Sequence, residues 1–176
     1  MIICAVKKIS VGYVGVAFTE KGIKLVCLPQ KTPHIARGNV IKGLSGGNVM
    51  FDPSRKLACK ALEQIEGYFQ GKVREFNLPL DLRDASRFSL KVWEATRKIP
   101  YGTTKSYGWV AKGAGNPRAA RAVGGALGRN PLPLLIPCHR VVRSDGALGG
   151  FGAGLSRKKR LLALEAGYLK QRRLAK

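Results

Sequence analysis

The first thirty residues hold three runs that suit β-strands and little else: "MIICAV", "GYVGVAFT" and "GIKLVCL". Each is rich in β-branched and aromatic residues, and "EKG" supplies a turn between the second and third. Residues 31–53 contain Pro33, Gly38, Gly43, Gly46, Gly47 and Pro53 and read as loop. The stretch 54–69, "SRKLACKALEQIEGYF", places apolar residues at helical spacing and predicts a helix capped by Ser54. Residues 74–82 read as extended, with a boundary near Asp81–Asp84. Beyond it the texture changes to short helices and turns. A chain with its strands at one end predicts two domains, an α/β unit over 1–82 and a mostly helical unit over 83–176.

The second unit is predicted in more detail. Residues 86–98 form an amphipathic helix, and 106–115 ("SYGWVAKGAG") a short one that ends in glycines. Residues 116–128 ("NPRAARAVGGALG") open with Asn116 as N-cap and Pro117 at the first helical position. Two short helices joined by a glycine-containing turn make a helix-turn-helix, with 117–128 as its recognition helix. That helix carries Ala119, Ala120, Ala122, Ala126 and the pair Gly124–Gly125. Each glycine inside a helix costs roughly 1 kcal/mol against alanine, so the pair needs a reason. Close packing on a neighbouring helix is one; close approach to a nucleic-acid groove is the other, favoured by Arg118 and Arg121 at i, i+3.

Charge argues for the second reason. The chain has 32 basic and 10 acidic residues, a net charge of +22. Residues 1–80 carry +7 of it and residues 81–176 carry +15. Such an excess points to a polyanionic partner that meets the C-terminal half. Four cysteines without a CxxC pair exclude a disulfide framework and fit a reducing compartment, the cytoplasm or, in a eukaryote, the nucleus. A Cys4–Cys27 bridge stays open without geometry. No stretch approaches the roughly 20 apolar residues of a membrane span, and "MIICAVKK" is too short in its apolar run for a signal peptide.

The chemistry centres on "LIPCHRVV", residues 135–142, in a chain with only two histidines. A thiol acts as a nucleophile when it becomes thiolate, and an imidazole can take its proton. Neighbours on a strand point to opposite faces, so Cys138 and His139 can cooperate only at a bend, which Pro137 makes credible. The competing reading is a buried structural cysteine. In a last helix predicted over 156–167, capped by Ser156 and ended by Gly167, Glu165 has Leu161, Leu162, Tyr168 and Leu169 at i−4, i−3, i+3 and i+4. It therefore lies on the apolar face, where a carboxylate needs a partner. His139 is one candidate; the many arginines are the other.

"NPRAARAVGGALGRNPLPLLIPCHRVV", a glycine-rich loop and "LLALE" together strongly resemble the O6-alkylguanine-DNA alkyltransferases, without gaps from about Pro100 to Gly167. The resemblance implies an N-terminal ribonuclease-H-like α/β domain and a C-terminal winged-helix-like domain that carries the helix-turn-helix. It implies a monomer that binds double-stranded DNA containing O6-alkylguanine in the minor groove and flips the damaged base. Cys138 then takes the alkyl group once and irreversibly. By likeness, Glu165 orients His139, which deprotonates Cys138 through a water, while Asn130 braces the turn. Arg121 enters the stack where the base left, with Arg118, Ala119, Ala120 and Gly124 at the DNA. Tyr107 crowds the 3′ phosphate and gives a hydrogen bond or proton to the guanine. Main-chain carbonyls of Cys138 and Val141 read the exocyclic amine, a backbone N–H near Gly152 faces O6, and Leu127, Pro133 and Phe151 complete the base pocket.

Several departures accompany the likeness. Gly150 and Gly152 stand where relatives often have larger or polar residues, and Phe151 where many have tyrosine. Some relatives bind zinc in the first domain. Here Cys4, Cys27 and His34 follow no standard zinc spacing, so neither metal nor cofactor is expected. The tail 169–176, "LKQRRLAK", reads as a solvated basic end that adds at most nonspecific DNA affinity. The competing functional class is a DNA-binding sensor of alkylated bases without chemistry, against which the retained Cys138 argues. A conventional thiol hydrolase ranks last, because a thioether product forbids turnover.

Overall fold

A computed structural model describes residues 1–44 and 49–174, with side chains followed as far as 170. It separates into two compact units, Met1–Arg83 with Pro131–Pro133, and Asp84–Asn130 with Leu134 onward.

In the first unit, strands β1 (Ile2–Ile9), β2 (Gly12–Thr19) and β3 (Gly22–Gln30) form an antiparallel meander. Strand β4 (Val49–Phe51) adds in parallel to β1, giving the order β3-β2-β1-β4. Register aligns Cys4 with Ala17 and Ala17 with Leu25. These three, with Cys27, join Val40 and Leu44 in one buried cluster. Val40 comes from helix α1 (Pro33–Gly43), which runs through the segment expected to be loop. Thr32 accepts from Ile35 N and Pro33 opens the first turn, a start signal that outweighs Gly38 inside the helix. Of that segment's glycines, Gly46 and Gly47 lie outside the described residues.

Helix α2 (Lys56–Phe69) starts one residue later than a Ser54 cap predicts, with Arg55 at the N-cap and no side-chain cap. Ser54 is instead drawn to Asp52, whose Oδ1 accepts from both its N–H (3.0 Å) and its hydroxyl (2.6 Å). The unit closes on Asp81. Ile23 N donates to Pro79 O and Asp81 N to Ile23 O, each at 2.8 Å. The carboxylate accepts from Thr19 (2.6 Å) and from two nitrogens of Arg83 (2.8 Å each). Val26 N donates to Pro131 O at 2.9 Å, which ties the segment 131–133 to β3.

The second unit packs three short helices on one another: α3 (Arg87–Arg97), α4 (Tyr107–Gly113) and α5 (Ala120–Gly128). Ser86 and Ser106 cap the first two by accepting from Ser89 N and Trp109 N. Trp93 buries its ring and satisfies its N–H on Ala126 O at 3.0 Å. A parallel two-stranded ladder joins β5 (Lys105–Ser106) to β6 (Val141–Val142).

Helix α5 does not begin at Asn116–Pro117. Ala119 N donates to Asn116 O at 3.0 Å and closes a separate turn. Pro117 occupies the second position of that turn, where its fixed φ serves equally well. Arg118 therefore sits in the turn and only Arg121 on the helix. The last helix, α6 (Leu155–Leu174), begins before Ser156 and passes through Gly167. Gly167 is exposed, and half-buried Tyr168 and Leu169 after it carry the helix on. The basic tail lies largely outside the described side chains. No helix of the described residues is long and apolar enough to cross a membrane.

Candidate active site

No strand leads into Cys138: residues 131–136 are turn and bend. Residues Cys138–Arg140 form one turn of 3-10 helix, so adjacent residues no longer alternate across a strand. Cys138, His139 and Arg140 are all buried there. Asn130 braces the approach by donating through Nδ2 to Ile136 O at 2.9 Å and to Cys138 Sγ at 3.1 Å. Burial pushes the Cys138 thiol up, against the pull of Asn130 and the nearby Lys158 charge. At rest the sulfur is a thiol.

His139 and Glu165 meet at 2.8 Å, Nε2 to Oε1, with both side chains fully buried. Burial works against the Glu165 anion, but hydrogen bonds from His139 and Arg140 win and hold it at about 2. Burial pushes His139 down, so its ring is neutral. An ionised carboxylate only accepts, so Nε2 carries the ring proton and Nδ1 keeps the lone pair. The arrangement is a thiol, a neutral base in the correct tautomer and an anion that stabilises the base once protonated.

Glu165 has the arginine partner as well. Arg140 donates to its two oxygens at 3.0, 3.1 and 3.2 Å, and to Ile99 O at 2.7 Å. Gly102 N adds a bond to Oε2 at 2.7 Å. Both partners left open by the sequence are filled at once, and Arg140's part was not anticipated.

Cys138 opens onto a cleft of about 910 Å³, within the usual range for a small-molecule site. Tyr107, Ala120, Arg121, Gly124, Leu127, Phe151 and Gly152 line it as expected residues brought together. Pro133 and Val141 do not line it. Pro133 belongs to the segment tied to β3, and Val141 is fully buried in β6. Arg118 and Ala119 also stand outside the lining. The carbonyls of Cys138 and Val141 have protein donors already, Val141 N and Lys158 Nζ.

The glycine pair can now be read. A Cβ at Gly124 would lie 3.8 Å from the Tyr107 ring, and one at Gly125 3.5 Å from Arg129 Nη1. Neither position is forced by helix packing, and Gly124 opens the cleft wall. Gly149 is different: φ is +64°, and a Cβ would fall 2.8 Å from Tyr107 Cε2 and hydroxyl. Only glycine lets that strand of wall lie against the tyrosine, whose hydroxyl donates to Gly150 O at 3.3 Å.

Lys158 is the residue that sequence reasoning missed. It is fully buried, yet its ammonium donates to Val141 O (2.5 Å), Leu148 O and Gly150 O (3.2 Å). It also lies 5.9 Å from the centre of the Tyr107 ring. The signal was available, because Lys158 is seven residues before Glu165 and so on the same helical face. Lys158→Met should free Leu148 and Gly150, seen as faster amide exchange over 147–152. It should also remove a cation that favours the thiolate. The pH dependence of Cys138 alkylation by iodoacetamide is expected to move upward. An unmoved profile would leave Lys158 a purely mechanical tie.

Among the described residues no three His, Cys, Asp or Glu side chains gather in a way that could hold a metal ion. Cys4 and Cys27 are not joined by a disulfide.

The sequence family described as "6-O-methylguanine DNA methyltransferase, DNA binding domain" matches residues 87–167. The methylated-DNA–protein-cysteine methyltransferase of Mycolicibacterium paratuberculosis is 46% identical over 136 residues, which span 73% of this chain and 82% of that one. The enzyme of the same name from Methanosarcina barkeri is 39% identical over 162 residues, 91% of this chain and 94% of its own. Among solved structures, Mycobacterium tuberculosis OGT in complex with DNA superposes with a TM-score of 0.79 at 34% identity, covering 94% of each chain. The O6-methylguanine-DNA methyltransferase of Pyrococcus kodakaraensis gives 0.67 at 29% identity, over 92% of this chain and 98% of that one. The fold is theirs, and the chain belongs to the methylated-DNA–protein-cysteine methyltransferases.

Proposed function

We propose that this protein repairs DNA by moving the alkyl group of O6-alkylguanine irreversibly to its own Cys138. The observation that carries the reading is the buried relay Glu165–His139 beside a thiol that Asn130 holds at the cleft. His139 Nδ1 takes the thiol proton, directly or through a water. The sulfur attacks the alkyl carbon in line, the C–O6 bond breaks, and its electron pair goes to the guanine. Tyr107 supplies the hydrogen bond or proton that makes the base a better leaving group. The product is a thioether, so each molecule acts once.

A base buried in a duplex is out of reach of Cys138, so the nucleotide is flipped into the cleft. Helix α5 lies in the minor groove, with Arg121 in the gap and Arg118, Ala119, Ala120 and Gly124 beside the strand. Leu127, Phe151 and Gly152 hold the base. In this reading residues 1–82 are the ribonuclease-H-like domain and 83–176 the winged-helix-like one. The protein works as a monomer in the cytoplasm, or in the nucleus of a eukaryote.

The test is intact mass and peptide mapping after mixing with a duplex bearing one O6-methylguanine. One methyl group on Cys138, never more than one per protein, supports the proposal. Tight lesion binding without a mass change would make the protein a sensor. Arg121→Ala should slow methyl transfer from duplex DNA far more than transfer from the free base. Equal losses on both would leave Arg121 a structural role only.

A further inference from the structure

Two charged residues stand among those lining the cleft, Arg121 and Arg143, and they come from different elements. Arg121 belongs to α5; Arg143 follows β6, with Ser144 beside it in the lining. Arg143 is carried by a well-bonded turn. Its N–H donates to Ala147 O at 2.8 Å, and Gly146 N donates back to Arg143 O at 3.0 Å. Asp145 serves the turn twice: Oδ1 accepts from Ala147 N at 3.0 Å, and Oδ2 meets Arg143 Nη2 at 3.2 Å.

Flipping a nucleotide brings the phosphates on either side of it to the mouth of the pocket. A polyanion bent in this way needs cations there. If Arg121 is committed to the gap in the stack, its charge is not available to those phosphates. Arg143 is the remaining cation of the lining, and it is ready to move. Its side chain is 62% exposed and that of Asp145 56%, and an exposed ion pair of this kind is worth little in water. The planar guanidinium suits phosphate oxygens in two-pronged fashion.

We infer that Arg143 is a second DNA-binding arginine, which leaves Asp145 to grip a backbone phosphate beside the flipped nucleotide, so that the cleft is clamped from both walls. The inference rests on the proposed reading of the cleft as a base pocket. Asp145 orients Arg143 in the free protein while opposing the phosphate by its own charge.

The experiment is the salt dependence of binding to a duplex bearing one O6-methylguanine, by fluorescence anisotropy from 50 to 300 mM NaCl, with Cys138→Ala added to every protein, the otherwise wild-type one included, so that no methyl moves. Wild type, Arg143→Ala, Arg143→Lys, Asp145→Asn and, as an exposed control in the first unit, Lys60→Ala are compared. Losing one phosphate contact lowers the slope of log affinity against log salt by roughly 0.9. Arg143→Ala is expected to show that loss, Lys60→Ala none, and Arg143→Lys most of the wild-type slope. Asp145→Asn, which keeps the oxygen that caps Ala147, is expected to bind more tightly. In proteins that keep Cys138, Arg143→Ala should slow methyl transfer from free O6-methylguanine base far less than transfer from the duplex, because the base brings no phosphate. A wild-type slope in Arg143→Ala overturns the assignment, and so does an equal loss with the free base. A wild-type protein without any salt slope would instead overturn the DNA reading itself.

Discussion

Cys138→Ala is expected to end alkyl transfer completely while leaving duplex binding within a factor of a few of wild type. In the proposed mechanism the sulfur is the only atom of the relay that forms a bond to the alkyl carbon, so no partial activity should survive its removal. The other thiols are poor substitutes. Cys4 lies in the sheet core with burial pushing it up to about 11, and Cys27 is buried and donates to Leu28 O at 3.4 Å. Cys59 is exposed on α2, donates to Pro53 O at 3.4 Å and is not among the residues lining the cleft. The fold should tolerate the change. Asn130 loses the sulfur but keeps Ile136 O, a loss of about 1 kcal/mol. Intact mass after exposure to a methylated duplex, with anisotropy for binding, decides the matter. A methyl group found on any other cysteine would move the nucleophile and undo the proposed mechanism.

Glu165→Gln is expected to strike both stability and chemistry. The carboxylate sits at about 2 against an ordinary 4.5, which corresponds to about 3 kcal/mol of stability at neutral pH. Breaking a buried ion pair from one side also strands Arg140, and such losses run to about 3–5 kcal/mol. For a chain of this length the melting temperature should fall by roughly 10 °C. The pH dependence carries the signature. A depressed carboxyl contributes stability that is complete above 4.5 and is lost as pH falls through about 2. Wild type should therefore weaken in acid over that window, and the variant should show less of that loss. His139, pushed down by burial, adds a second loss that begins as pH drops through its ordinary 6.5. Methyl transfer, measured at a temperature where circular dichroism shows the variant folded, should slow roughly 100-fold or more. A stable, active Glu165→Gln protein would remove the relay from the mechanism.

Much of this site was written in short-range pattern. Glu165 among leucines at helical spacing announced a buried carboxylate, and Pro137 before Cys138 announced a bend. The helix starts at Ser86 and Ser106 are local capping chemistry, readable from a few residues. The failures have equally local causes. Pro117 serves a turn as readily as a helix start, so Asn116 misplaced the beginning of α5. Glycines in 31–53 masked α1, although Thr32–Pro33 was a sound start signal. Pro133 was beyond reach, because its place is set by a bond between Val26 and Pro131, more than a hundred residues apart. Lys158 was missed although the helical face that turned Glu165 inward also carried the lysine.

The thiol at rest has a further meaning. Peroxides attack thiolate, and a cysteine kept protonated by burial is slow to enter the path from sulfenic to sulfinic acid. In a protein whose sulfur reacts once, each such oxidation would remove a whole molecule from service. With Cys138 buried and its deprotonation left, as proposed, to a neutral histidine, the thiol should resist peroxide and still react when a lesion arrives.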